Sequence, residues 1–237
     1  MPTALAVVVL LLAGACSTSP RARHPGTPSP RASGSTSAAP ARPPYAATVH
    51  RIGPRLRARM RSSHGDGCPV RPADLRHLRL RYVDFRGQTH VGELVVHEDQ
   101  AQQVADVFGV LYDAGWPIRR MRLVDAYGGD DDRSMAADNT SAFNCRRVTG
   151  GGAWSQHAYG TAIDIDPVEN PYVSGSEVAP PAGRRFATID RGAASPVPAG
   201  VIRADDVVVR AFARIGWAWG GSWTGSKDYQ HFSATGR

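Results

Sequence analysis

Two short stretches hold the side chains that could do chemistry. In "SQHAYGTAIDID", residues 155–166, His157 and Asp164 stand seven positions apart with Gly160 between them. In "KDYQHFS", residues 227–233, Asp228 and His231 stand three apart. A glycine lets the chain turn tightly, so His157 can fold back towards the strand-like run 161–166. Alternation along that run places Ala162, Asp164 and Asp166 on one side and Ile163 and Ile165 on the other. One imidazole and one carboxylate can then meet the same cation. Zinc asks for a further nitrogen or sulfur ligand and keeps a position open for water when it is catalytic. His231 supplies the ligand. Asp228, on the same face of its turn, stands where a carboxylate can take a proton from that water and later return it. Either half alone reads better as a turn before a solvated strand, or as a surface turn. Together they point to a His157–Asp164–His231 metal set with Asp228 as acid/base.

The spacing S-x-H-x-x-G-x-A-x-D (Ser155, His157, Gly160, Ala162, Asp164), then Trp219-Gly220-Gly221-Ser222-Trp223, then Asp228, His231 and Phe232, resembles the M15 zinc peptidases. These are the D-alanyl-D-alanine carboxypeptidase and L-alanyl-D-glutamate endopeptidase group, and the resemblance covers about residues 64–237. It implies a small α+β fold, a Hedgehog/DD-peptidase-like domain with a short antiparallel sheet and packed helices. It also implies one Zn2+ per chain on His157, Asp164 and His231, with Asp228 as the catalytic residue. Carboxypeptidase members of the VanX and VanY types carry Glu at the base position. Asp there, followed by Phe after the last histidine, is similar to the endopeptidase-like subgroup. An upstream arginine that holds a substrate carboxylate is also implied. Arg146 is the first candidate and Arg133 the second, with Ser155 beside the substrate. A surface role for Arg146 next to Cys145 weighs equally.

The elements that must position these residues are legible in outline. Residues 78–96 alternate about Gly87 as a β-hairpin. Residues 98–115 repeat Val104, Val107, Phe108 and Leu111 at helical spacing, ending at Gly115. Residues 118–127 read as a strand, 167–200 as a long surface loop, and 204–216 as a helix with acids at its start. Ile52, Leu56 and Met60 recur every four residues as a short helix. Trp217, Trp219 and Trp223 are core and cleft wall.

Residues 1–15 are apolar and end in small residues, as a secretory signal segment does, and the run is short for a membrane span. Cys16 follows directly, which fits a lipoprotein site or ordinary cleavage after Ala15. Residues 16–48, rich in Pro, Ser, Ala and Arg, read as a disordered tether, and 49–237 as the peptidase domain. With Cys16 set aside, Cys68 and Cys145 form an even pair in an oxidising compartment, where a disulfide is expected.

The formal charge of +7 is uneven. Residues 1–63 hold nine Arg and no acid, whereas the remainder holds 19 Lys+Arg against 21 Asp+Glu. A nucleic-acid-binding domain is therefore not implied. Asp130, Asp131 and Asp132 lack the spaced oxygen ligands of a calcium loop. Ser155 is too close to His157, and without an elbow glycine pattern, for a serine hydrolase.

The sequence thus reads as an exported, monomeric, zinc-dependent peptidase acting on peptidoglycan stem peptides, with membrane contact only through a lipid on Cys16. The alternative is a non-catalytic zinc or cell-wall-binding module of the same fold. The sequence does not choose between D,D-carboxypeptidase and endopeptidase.

Overall fold

The N-terminal half is built around a hairpin whose alternation divides polar from apolar. The structure, a computed structural model, describes residues 42–237, which form one compact unit. The signal segment, Cys16 and the tether up to residue 41 lie outside the described residues. Strand β1 (Ala47–Arg51) leads into helix α1 (Pro54–Arg59), then β2 (Leu75–Val83) and β3 (Thr89–His97) pair antiparallel in the order β1-β2-β3. Leu78, Leu80 and Leu94 turn inward, and Leu78 lies opposite Leu94 in the register. The turn between β2 and β3 places Gly87 at φ 76°, and Asp84 Oδ1 accepts the Arg86 and Gln88 amides. Helix α2 (Ala101–Asp113) buries Val104, Val107, Phe108 and Leu111 against this sheet and stops where Gly115 adopts φ 67°.

The C-terminal half carries the short α3 (Asp131–Ala136), β4 (Ala162–Asp164), the hairpin β5 (Tyr172–Ser174) and β6 (Glu177–Ala179), α4 (Val207–Arg214), β7 (Ala218–Trp219), β8 (Lys227–Asp228) and β9 (His231–Ser233). Its strands form two small antiparallel sheets, β4-β9-β7 and β6-β5-β8. Asp206 caps α4 by accepting the Val208 amide at 3.2 Å. Phe212 of α4 stacks on Phe232 of β9 at 4.3 Å between centroids and meets Phe108 of α2 edge-on at 6.5 Å. One apolar core therefore runs from the N-terminal sheet through α2 and α4 to the β4–β9 pair. Each such fully buried aromatic contributes about 1.5–3 kcal/mol. The molecule is an α+β fold, with helices packed on small antiparallel sheets.

Several expectations are corrected. Residues 42–48 are packed rather than tether: Tyr45 donates to Ala105 O, and β1 pairs with β2. Residues 118–127 form no strand. Their amides and carbonyls go to isolated bridges and a 3-10 turn at Val124–Tyr127, because Asn139 captures the Arg122 backbone on both sides. The expected surface loop 167–200 holds the β5–β6 hairpin, and its buried Val168, Glu169, Asn170 and Arg191 anchor it to the core. Of the acids at 130–132, Asp130 Oδ1 caps α3, Asp131 pairs with Arg146 and Asp132 is exposed, so they open a helix. Alternation fails at Asp166, whose φ of 41° ends the strand register. Cys68 and Cys145 are disulfide-bonded with Cα atoms 5.8 Å apart, which ties the start of the domain to the segment before His157. Among the described residues no helix is long and apolar enough to cross a membrane.

Candidate metal centre

The register of β4 against β9 brings the two sequence stretches together: Asp164 lies directly opposite His231. His157 arrives from the 3-10 turn Gln156–Tyr159, which Ser155 caps by accepting the His157 amide at 3.3 Å. Gly160 closes that turn at φ 69°, and a Cβ there would sit 2.6 Å from His97 N, so no other residue fits without a shift. Ligand atoms of His157, Asp164 and His231 all lie within 4.8 Å of one another, and all three residues are buried. His157 Nε2 is 3.1 Å from Asp164 Oδ2, and His231 Nδ1 is 3.0 Å from Asp164 Oδ1.

The opposite ring nitrogens settle the tautomers. His157 Nδ1 faces Ala142 O at 2.6 Å and His231 Nε2 faces Arg237 O at 3.2 Å, and a carbonyl can only accept. Each neutral ring thus carries its hydrogen on the outer nitrogen. Two lone pairs, His157 Nε2 and His231 Nδ1, then face each other at 3.3 Å beside a carboxylate. Such an arrangement calls for a cation between them. Two imidazole nitrogens and a carboxylate, with the outer N–H groups held by main-chain oxygens, form a donor set that could hold a metal ion such as zinc. Burial acts against the charged form of Asp164, but the two histidines outweigh it and hold this carboxyl far below the usual range. A proton can take the cation's place between His231 Nδ1 and Asp164: burial opposes that charge, and the bond to Asp164 and its charge outweigh burial, raising the His231 pKa.

Asp228 stands beside this set on β8. The residue is only half-buried, yet its Oδ1 is shut off from solvent with no hydrogen-bond partner among the described residues. Burial pushes its carboxyl up to about 6; the Asp164 charge adds to the rise, and the histidines oppose it. Gly220 fixes the spacing between Asp228 and His231. A Cβ there would lie 2.6 Å from Asp228 O and 3.3 Å from His231 Cβ. Trp219 donates its indole N–H to Tyr229 O at 2.8 Å, and the Trp223 ring lies 5.6 Å from that of His231. Trp219 is therefore core and Trp223 lines the site.

Arg146 is carried on an irregular hairpin that also carries His157: Asn144 N donates to His157 O and Ser155 N to Arg146 O. Its guanidinium pairs with Asp131 at 2.7 Å, and its Nε is buried without a partner. Arg133 is spent on Asp130, an exposed pair at its own helix start. Sequence reasoning missed the polar cluster behind β4. Arg119 reaches Asp138 at 3.3 Å and Glu169 at 3.2 Å, and its amide donates to Asp166 Oδ1. The signal available was the second acid of "DID", two residues after a ligand.

The D-alanyl-D-alanine carboxypeptidase model of the M15 peptidases (Peptidase_M15_4) matches residues 149–234, a segment that includes all three donors and Asp228. Over this segment the chain is similar to the M15 peptidases. No curated protein and no solved structure matches the chain. The M15 match ends just past β9 and begins after Arg146, so the metal corner lies within it, whereas β1–β3 and α2 lie outside.

Proposed function

We propose that this chain is a zinc-dependent M15 peptidase of the bacterial cell wall, cleaving peptidoglycan stem peptides as a D,D-carboxypeptidase or an endopeptidase. The observation that carries this reading is the convergence of His157 Nε2, His231 Nδ1 and Asp164 beside the orphaned Oδ1 of Asp228. When bound, zinc supplies a Lewis acid and a water whose pKa falls to about 7. The chain's own residues do the rest. Asp228 Oδ1 takes the proton of the attacking water and delivers it to the leaving amine nitrogen, a transfer favoured by a carboxyl poised near 6. Arg146, part-exposed with an unpartnered Nε, orients the substrate carboxylate by giving up Asp131. Ser155 holds the His157 turn in place.

Export, with cleavage after Ala15 or a lipid on Cys16, places the enzyme at the envelope with its substrate, and it acts there as a monomer. A cell-wall-binding module of the same fold would have no use for a buried carboxylate beside the metal, which favours the enzyme.

Purified protein analysed for metal and incubated with muropeptides is expected to contain zinc and to release products visible by mass spectrometry. Loss of a terminal D-Ala would mark a carboxypeptidase and internal fragments an endopeptidase. Zinc without any product would leave the binding module, and neither zinc nor product would overturn the reading altogether.

A further inference from the structure

An open cavity of about 450 Å3 lies between the start of α2, the His157 turn and the residues after β9. Its size falls in the range of ordinary ligand sites. Two of its lining side chains are amides bonded from behind, and the orientation of Gln100 is fixed by its partner. Trp217 Nε1, which can only donate, gives its hydrogen to Gln100 Oε1 at 3.0 Å. Thr161 Oγ1 donates to Gln156 Oε1 at 2.9 Å. With its oxygen engaged, Gln100 offers its NH2 group as a donor to whatever enters the cavity, and Gln156 lines it with a second amide. Between them Tyr159 exposes 37% of its surface, an aromatic face that the core does not use. Asp99, with 75% of its side chain exposed, adds an acceptor at the rim, and exposed Thr235 adds a hydroxyl.

We propose that this cavity is a saccharide subsite that binds an N-acetylated amino sugar. An aromatic face suits the C–H face of a pyranose. The outward NH2 of Gln100 suits an acetamido carbonyl, the Gln156 amide suits a ring hydroxyl, and a carboxylate suits the hydroxyl hydrogens. The lining comes chiefly from turns and helix ends rather than from an open strand to which a peptide could add. The position also fits. Thr161 and Ala234 bond to each other three residues along from Asp164 and His231 on the β4–β9 pair. At about 3.3 Å per residue the cavity lies on the order of 10 Å from the donors. That is short enough for one muropeptide to place its peptide at the metal corner and its sugar in the cavity. The choice of sugar rests on the cell-wall peptidase reading; the cavity chemistry does not.

The test reads binding without turnover. The N-acetylglucosamine tetramer is titrated into the isotope-labelled full chain, with the side-chain amide signals of Gln100 and Gln156 followed by NMR. Both signals are expected to shift on saturation. Tyr159→Ala should weaken binding about tenfold, and Tyr159→Phe should retain it. Tyr159 is exposed, and an unchanged amide spectrum of the free variant confirms its fold. A sugar-free stem peptide should leave both amide signals in place. The proposal is overturned if the tetramer shifts neither amide, if Tyr159→Ala binds as tightly as the parent, or if the bare peptide produces the same shifts. A protein that binds the tetramer but cleaves no muropeptide would keep the subsite and lose the peptidase; the converse would keep the peptidase and lose the subsite.

Discussion

Asp164 and Asp166 are the same residue type two positions apart, both buried, and the fold drives their protonation in opposite directions. Burial disfavours charge on each. At Asp164 two imidazoles within about 3 Å overcome it, and the carboxyl stays ionised. At Asp166 the neighbouring charges are Asp138 and Glu169. They add to burial and raise its pKa well above normal, beyond what the Arg119 amide and Thr140 hydroxyl can offset. A backbone twist separates the two: φ of 41° at Asp166 turns its side chain away from the histidines and into the Arg119 cluster. A buried carboxyl is therefore held charged or pushed towards its neutral form according to its partners, and neither burial nor spacing identifies which.

This contrast can be broken residue by residue. Asp164→Asn should have the largest effect, reducing bound zinc to background and abolishing turnover, as read by metal analysis and muropeptide digestion. Asp228→Asn should keep zinc but lower kcat by about 10^2–10^4-fold, the usual worth of a positioned general acid/base. Near-normal turnover in that variant would remove Asp228 from the mechanism. Glu169 tests the Arg119 cluster through stability. Burial first, then its bond and charge contact with Asp138, push its carboxyl from 4.5 up to about 7. The folded protein therefore holds this proton to higher pH than the unfolded chain does. The resulting stabilisation is complete below about pH 4.5 and fades as pH rises through about 7. Its span is on the order of 3 kcal/mol. Thermal melts should show the Tm falling between these limits, and Glu169→Gln should flatten that slope; an unchanged slope would move the proton elsewhere. Asp166→Asn should have the smallest effect. An amide keeps an acceptor for the Arg119 amide and removes a charge that burial, Asp138 and Glu169 already disfavour, so stability should change by about 1 kcal/mol and zinc should stay bound. Loss of zinc in Asp166→Asn would mean that the two aspartates are not independent.

Local pattern made much of the molecule legible. The hairpin about Gly87, the helix through Val104, Phe108 and Leu111, and the acid-capped helix before Trp217 all follow from side-chain periodicity and turn residues. The metal corner was legible because its donors cluster in two short stretches of unusual composition, and the match over residues 149–234 covers both. The region 118–127 was not legible. Its strand-like residues are held in another conformation by Asn139, whose contribution comes from 17 positions away. Residues 42–48 were misassigned for a related reason. Their Pro- and Ala-rich composition is that of a tether, but the α2 and β2 surfaces give Tyr45 and β1 a place to pack.

By itself, the sequence determined which side chains could bind a cation and which turns could carry them, because residue type and short-range spacing are local properties. Tertiary structure alone decided that Asp164, not Asp166, meets His231, since that choice lies in the β4–β9 register and one twisted peptide. It also decided the inward-facing tautomers of His157 and His231, which depend on the carbonyls of Ala142 and Arg237. The spacing of Asp228 from the donors was decided there too, by a glycine at 220 that leaves no room for a side chain. These features depend on contacts between segments far apart in the chain, and no local pattern encodes the distance at which two such segments come to rest.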